Sequence, residues 1–129
     1  MVRKTILVDS SLFIDYYRKQ QKEKTLLVKL SQKYDFAISV ITKFELLVGT
    51  KTDEQKKFWN EIFDSLIVFP LLDKEMELAA EIVKSLRKNN KIIGIQDIFI
   101  ATTAIENNLE LATLNRKDFM RIEKLKLIS

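Results

Sequence analysis

The chain has 129 residues with no Cys and no His, and 22 Lys and Arg against 18 Asp and Glu give a net charge of +4. Disulfides, thiolate or imidazole catalysis and Cys/His zinc sites are thereby excluded, so any metal must be held by oxygen, while the basic excess mildly favours an anionic partner such as nucleic acid. A hydrophobic share of 47% supports one sizeable core in a chain too short for two ordinary domains, and 2 Gly and 1 Pro are too few for the turns of an all-β sandwich.

In chain order, Thr5, Ile6, Leu7 and Val8 form a β-branched-rich run that reads as a buried strand. Asp9, Ser10 and Ser11 then supply capping side chains for a helix over residues 12–18. Residues 25–34 place Leu26, Leu27 and Leu30 at helical spacing, and residues 36–40 return to a strand pattern. Thr42 begins a helix through Val48, stopped by Gly49, and Phe58, Trp59, Ile62, Phe63 and Leu66 recur at helical offsets to complete a helical hairpin. Ile67, Val68 and Phe69 make a third strand. Asp73 reads as the N-cap of a helix with Met76, Ala79, Ala80, Val83 and Leu86 on one face, ending near Asn89 and Asn90. A further helix runs from Ile95 to Glu106, residues 109–114 read as a fourth strand, and residues 125–128 as an edge strand.

Strands alternating with helices predict an α/β fold: a mainly parallel, twisted sheet of four to five short strands wrapped by helices, in a single domain over residues 1–129. Functional groups are expected beyond the carboxyl ends of the strands. The first apolar run is too short for a signal peptide, and the longest uncharged stretch, residues 65–72, contains Pro70 and is too short to span a bilayer. A soluble, cytoplasmic protein is the expectation.

Several acids stand on apolar segments. Asp9 ends the first strand, where a carboxylate serves as an N-cap or faces the functional edge of the sheet. Glu45 is surrounded by Ile41, Phe44, Leu46, Leu47 and Val48, which places it on a partly buried face unless it pairs with Lys43 or Lys51. Asp97 shares a helical stripe with Ala101 and Ala104, small residues that let the helix approach the sheet and desolvate the carboxylate; the helix dipole accounts equally for an Asp soon after Gly94. Thr113, Asn115 and Asp118 offer further oxygen donors, with a turn cap as the alternative role for Asn115 or Asp118. Taken together these residues describe one acidic pocket, and hard oxygen ligands select Mg²⁺, Mn²⁺ or Ca²⁺ over zinc.

Four blocks carry a family resemblance: residues 6–14 (ILVDSSLFI), 39–46 (SVITKFEL), 95–104 (IQDIFIATTA) and 111–119 (LATLNRKDF). In this order and spacing they resemble PIN-domain nucleases, particularly VapC-like toxins of bacterial and archaeal toxin-antitoxin pairs, over essentially the whole chain. The resemblance implies that Asp9, Glu45 and Asp97 form the acidic metal set, with Asp9 and Asp97 as principal ligands of Mg²⁺, for which Mn²⁺ can substitute. Where some members carry a further Asp this chain has Asn115, leaving Asp118 as the nearby catalytic acid. Ser10 and Thr42 match hydroxyl positions that orient carboxylates or water, and Thr113 is a candidate for the same work.

The implied reaction is endonucleolytic hydrolysis of RNA to a 5′-phosphate and a 3′-hydroxyl. It suits a chain without imidazole, since a metal-free ribonuclease usually needs a positioned base and acid. Implied partners are a VapB-like antitoxin and a second copy in a homodimer, with Phe58, Trp59, Ile62 and Phe63 forming the partner surface and Trp59 partly exposed. The alternatives are a stand-alone RNA-processing PIN nuclease and a non-catalytic PIN-like module that binds RNA or protein. A haloacid-dehalogenase-type phosphatase fits poorly, because Ser11 stands where its second Asp belongs.

Overall fold

Ile6, Leu7 and Val8 are completely buried in the computed structural model, which describes residues 2–128. They belong to β1 (Thr5–Val8), which pairs in parallel with β2 (Asp35–Ser39) on one side and β4 (Leu111–Ala112) on the other; β3 (Ile67–Phe69) extends the sheet beyond β2. The strand order is β3-β2-β1-β4. A central parallel strand is covered on both faces, which is why β1 reads as a continuous apolar run rather than an alternation. Leu7 registers with Ala37 and with Leu111, fixing the middle of the sheet.

The period-two pleat sends β1 side chains to two different cores. Leu7, Ala37 and Leu111 pack with Ala79 and Leu86 of α5 (Asp73–Lys88) and with Ile98, Ala101 and Ala104 of α6 (Ile95–Glu106). Ile6, Val8 and Ile38 pack with Leu12 and Phe13 of α1 (Ser10–Arg18), Leu27 and Leu30 of α2 (Leu26–Ser31), Leu46 of α3 (Val40–Val48), and Trp59 and Phe63 of α4 (Asp53–Asp64). A short α7 (Arg116–Phe119) follows β4 and buries Phe119 completely. No helix among the described residues is long and apolar enough to cross a membrane.

Local hydrogen bonding moves several expected boundaries. Val40 belongs to α3 rather than to β2, because Ser39 accepts a bond from Ile41 N at 3.1 Å and so starts the helix two residues before the expected Thr42. The fourth strand contracts from residues 109–114 to two residues. At its start Leu109 N bonds Ala104 O at 2.8 Å, and Asn108, at φ 55°, makes the left-handed turn out of α6. At its end Leu114 N turns to Ser11 Oγ. The expected edge strand over residues 125–128 is reduced to a parallel bridge between Leu111 and Leu127.

Asp73 is the first residue of α5 and not its N-cap; Leu72 occupies the cap, and Glu75 Oε2 accepts from Leu72 N at 3.1 Å. Both acids lie in the first turn, where the helix dipole favours them. Trp59 and Phe63 also depart from expectation. Each is only 5% exposed, and the Trp59 ring meets Phe13 edge to face at 6.3 Å, so both are core residues. Phe58 and Ile62, on the outer side of the same helix, are half-buried.

Candidate functional site

β1 delivers Asp9 to the carboxyl edge of the sheet, where the carboxylate is buried and each oxygen is held. Oδ1 accepts from Ser11 N at 3.0 Å and also from the Ser11 hydroxyl. Oδ2 accepts from Thr113 Oγ1 at 2.6 Å, across the β1–β4 pairing. Asp9 is thus both the N-cap of α1 and an acid of the pocket. The roles are compatible because an ionised carboxylate has about four acceptor sites and these bonds leave capacity for a cation.

The two hydroxyls that hold Asp9 also accept backbone bonds, Ser11 from Leu114 N and Thr113 from Asn115 N, each at 2.9 Å. The chain leaving β4 is therefore stapled to the first turn of α1. Ser11, which the sequence offered only as a capping side chain, is the serine that holds Asp9, whereas Ser10 turns to Glu45. The signal for Ser11 was a hydroxyl two residues after a strand-end Asp, the spacing at which a capping carboxylate folds back on the helix start.

Glu45 comes from α3, half-buried, and its Oε1 accepts from Ser10 Oγ at 3.3 Å. It takes part in none of the ion pairs among the described residues, so the pairing with Lys43 or Lys51 is not made. Asp97 enters from the first turn of α6, whose Ala101 and Ala104 are fully buried against the sheet as the small-residue stripe implied. Asn115 Nδ2 bridges Asp97 Oδ2 and Asp118 Oδ2, at 3.3 Å each. Its side chain makes no capping bond to α7; it supplies a donor between two acids instead.

Asp9, Glu45 and Asp97 share one electrostatic environment. Burial is the main cause that raises the pKa of all three. For Asp9 it is opposed by the bonds from Ser11 and Thr113. For Glu45 the charges of Asp97 and Asp9 add to it, and for Asp97 those of Asp9 and Asp118 do. Acids from β1, α3, α6 and α7 thus crowd one edge of the sheet and resist joint ionisation, a cost that a cation among them removes.

The donor set fits a hard divalent cation: carboxylates, hydroxyls and an amide oxygen, with no nitrogen heterocycle or sulfur. Thr42, one turn before Glu45 on α3, is fully buried and its Oγ1 has no protein partner, a state that costs about 1–3 kcal/mol unless another group meets it. Among the described residues no three acids converge closely enough to cage an ion by themselves. Mg²⁺ itself commonly takes one or two carboxylates and completes its shell with water and substrate phosphate.

Two of the basic side chains are committed to contacts within the chain. Lys22 Nζ donates to the carbonyls of Tyr16, Tyr17 and Lys19 at 2.8, 3.0 and 3.1 Å, closing the end of α1. Arg116 Nη1 bonds Ile128 O at 2.6 Å and ties down the C-terminal segment.

The profile of the PIN domain matches residues 6–125. Ribonuclease VapC1 of Methanocaldococcus jannaschii is 34% identical over 123 residues, covering 95% of this chain and 84% of that protein. Ribonuclease VapC10 of Mycobacterium tuberculosis is 34% identical over 121 residues, covering 94% and 90%. Among solved structures, VapBC2 from Rickettsia felis bound to a promoter DNA fragment superposes with a TM-score of 0.80 at 28% identity, covering 96% of this chain and 97% of the other. On the family match and on sequence identity, this chain belongs to the PIN-domain family, in the branch that contains the VapC ribonucleases.

Proposed function

We propose that this protein is an Mg²⁺-dependent endoribonuclease, the toxin of a toxin-antitoxin pair, acting in the cytoplasm. The observation that carries the reading is that Asp9, Glu45, Asp97 and Asp118, from separate elements, lie near enough at one edge of a parallel sheet to act on one another by charge or through Asn115, in a chain with no His or Cys. Kinship with proteins named ribonuclease VapC supports RNA as the substrate.

In this reading Asp9 and Asp97 are the principal metal ligands and Glu45 completes the acidic set. Bound there, Mg²⁺ or Mn²⁺ supplies a water of lowered pKa and neutralises charge on the phosphodiester. The chain's own residues prepare that chemistry. Ser11 and Thr113 fix the Asp9 carboxylate with both oxygens facing donors, which orients it and favours its ionised form. Ser10 holds one oxygen of Glu45, and Asn115 keeps Asp97 and Asp118 apart by placing an amide between them. Water adds to phosphorus as the bond to the 3′ oxygen breaks, leaving a 5′-phosphate and a 3′-hydroxyl.

The partner in this reading is a VapB-like antitoxin, a kind of partner supported by the VapBC assembly from Rickettsia felis, and it inhibits by covering the acids. Its apolar anchors on the hairpin are the exposed Phe44 and Val48 with the half-buried Phe58 and Ile62, because Trp59 and Phe63 are inside the core.

The test is RNA cleavage by purified protein with Mg²⁺ or Mn²⁺, with EDTA, and after co-expression with the product of the adjacent small gene. Cleavage is expected to need Mg²⁺ or Mn²⁺, not zinc, and to be lost in EDTA and in a stable complex with that product. Undiminished cleavage in chelator overturns the metal reading. Full activity with no association overturns the toxin reading in favour of a stand-alone RNA-processing nuclease.

A further inference from the structure

Glu45 faces more than the acids: it also forms one wall of a cleft of about 220 Å³. The rest of the cleft is built by Ile14, Tyr17 and Arg18 of α1 and by Gln55 and Trp59 of α4. Tyr17 is 39% exposed, yet its ring rests on Phe58 and Trp59 at centroid separations of 5.4 and 5.6 Å, so an aromatic surface is held in a fixed place at the cleft. Gln55 commits Oε1 to Lys51 N at 2.7 Å, which leaves its Nε2 to donate. Arg18 takes part in none of the ion pairs among the described residues. Ile14 and Arg18 are shared with an adjoining groove that runs over Ser11 and Leu114, the residues stapled beside Asp9.

These groups are the complement of one nucleotide. Single-stranded RNA is read by stacking unpaired bases on aromatic rings and by hydrogen bonds to base edges, and an unpaired guanidinium suits the phosphate beside such a base. Drug-sized sites occupy about 300–1,000 Å³, so this smaller cleft takes a single ring system rather than a larger ligand. Its wall at Glu45 places it one step from the acids, where a strand held for cleavage must pass.

Resting on the ribonuclease reading, we propose that this cleft is a nucleobase subsite: a base adjoining the scissile phosphate stacks on Tyr17, Gln55 Nε2 donates to its edge, and Arg18 pairs with the flanking phosphate. Tyr17 and Gln55 then set which nucleotide is preferred next to the cut.

The experiment uses a short single-stranded RNA cut at one mapped bond, and a series of the same oligomer in which one position at a time is abasic. Cleavage is measured with the full chain in Mg²⁺, and binding by fluorescence anisotropy with Asp97→Asn. One position beside the cut is expected to be sensitive, loss of its base lowering kcat/KM about tenfold, mainly through KM. Tyr17→Leu is expected to lose a similar factor on the intact oligomer and to be indifferent to the abasic position, and Gln55→Ala to change the base preferred there.

An abasic penalty that is equal in Tyr17→Leu and in the unsubstituted protein overturns the subsite. If Tyr17→Leu does not fold, Gln55→Ala and Arg18→Ala carry the same comparison. Normal cleavage with no sensitive position overturns the subsite and leaves the ribonuclease reading standing. Base-dependent binding through Tyr17 without cleavage under either metal keeps the subsite and removes the ribonuclease reading. Should Tyr17→Leu instead weaken the antitoxin complex while RNA kinetics stay unchanged, the cleft holds a protein segment and the proposal fails.

Discussion

Asp9 and Asp97 are alike in charge and different in what their neutral amides would do. Asp97 receives one donor, from Asn115, and has the charges of Asp9 and Asp118 close by. Asp97→Asn removes repulsion while keeping an amide oxygen for that one hydrogen bond, and is expected to abolish cleavage while raising Tm in chelator. Asp9 accepts on both oxygens, from Ser11 and Thr113, and an amide can accept on only one. Asp9→Asn should abolish cleavage equally but gain no stability, losing about 1 kcal/mol relative to Asp97→Asn. Melts run beside an RNA assay decide this, and a loss of folding in both variants would reduce the acids to structural caps. Asn115→Asp tests the bridge between Asp97 and Asp118. Replacing the donor amide with a third carboxylate should lower Tm in EDTA and tighten Mn²⁺ binding measured calorimetrically; unchanged values in both would show that the bridge is not felt.

At the scale of elements, α3 and α4 divide their apolar residues between core and surface in a way that periodicity alone does not specify. Trp59 and Phe63 lie under α1, whereas Val40, Phe44 and Val48 repeat at four-residue intervals along an exposed face of α3, with Phe44 54% and Val48 66% exposed. Trp59→Ala is expected to cost roughly 3–5 kcal/mol in denaturant unfolding, as for a large core aromatic. Phe44→Ala should stay within about 0.5 kcal/mol of the unsubstituted protein and weaken antitoxin association instead. Equal stability losses at the two positions would contradict this division. The hairpin itself was legible in the sequence because both helices carry their apolar residues at helical offsets. Which aromatic would face out was not, because that depends on the angle at which α4 meets α1.

For the molecule as a whole, the acidic edge trades stability against function. Burial and mutual repulsion hold Asp97 and Glu45 above their ordinary values of 3.8 and 4.5. An acid whose folded-state pKa is raised binds its proton more tightly when folded, so its contribution to stability is complete below the ordinary value and is lost as pH climbs through the folded-state one. In chelator, the Tm advantage of Asp97→Asn over the unsubstituted protein should therefore widen as pH rises through that window. Saturating Mg²⁺ should reverse it, since a ligand at about 100 times its Kd adds about 2.7 kcal/mol to the form that binds it. Melts at several pH values, with and without metal, check both signs, and a difference independent of pH would remove the electrostatic account. By itself the sequence determined the alternation of strands and helices and a side-chain inventory without Cys or His, because apolar spacing and residue inventory are local properties of a chain. Tertiary structure alone decided that Asp9 is cap and pocket acid at once, that Ser11 rather than Ser10 holds it, that Asn115 joins Asp97 to Asp118, and that Trp59 is core. Each of these depends on which segments meet across the β1–β4 pairing or the α1–α4 contact, and distance along the chain carries no record of those meetings.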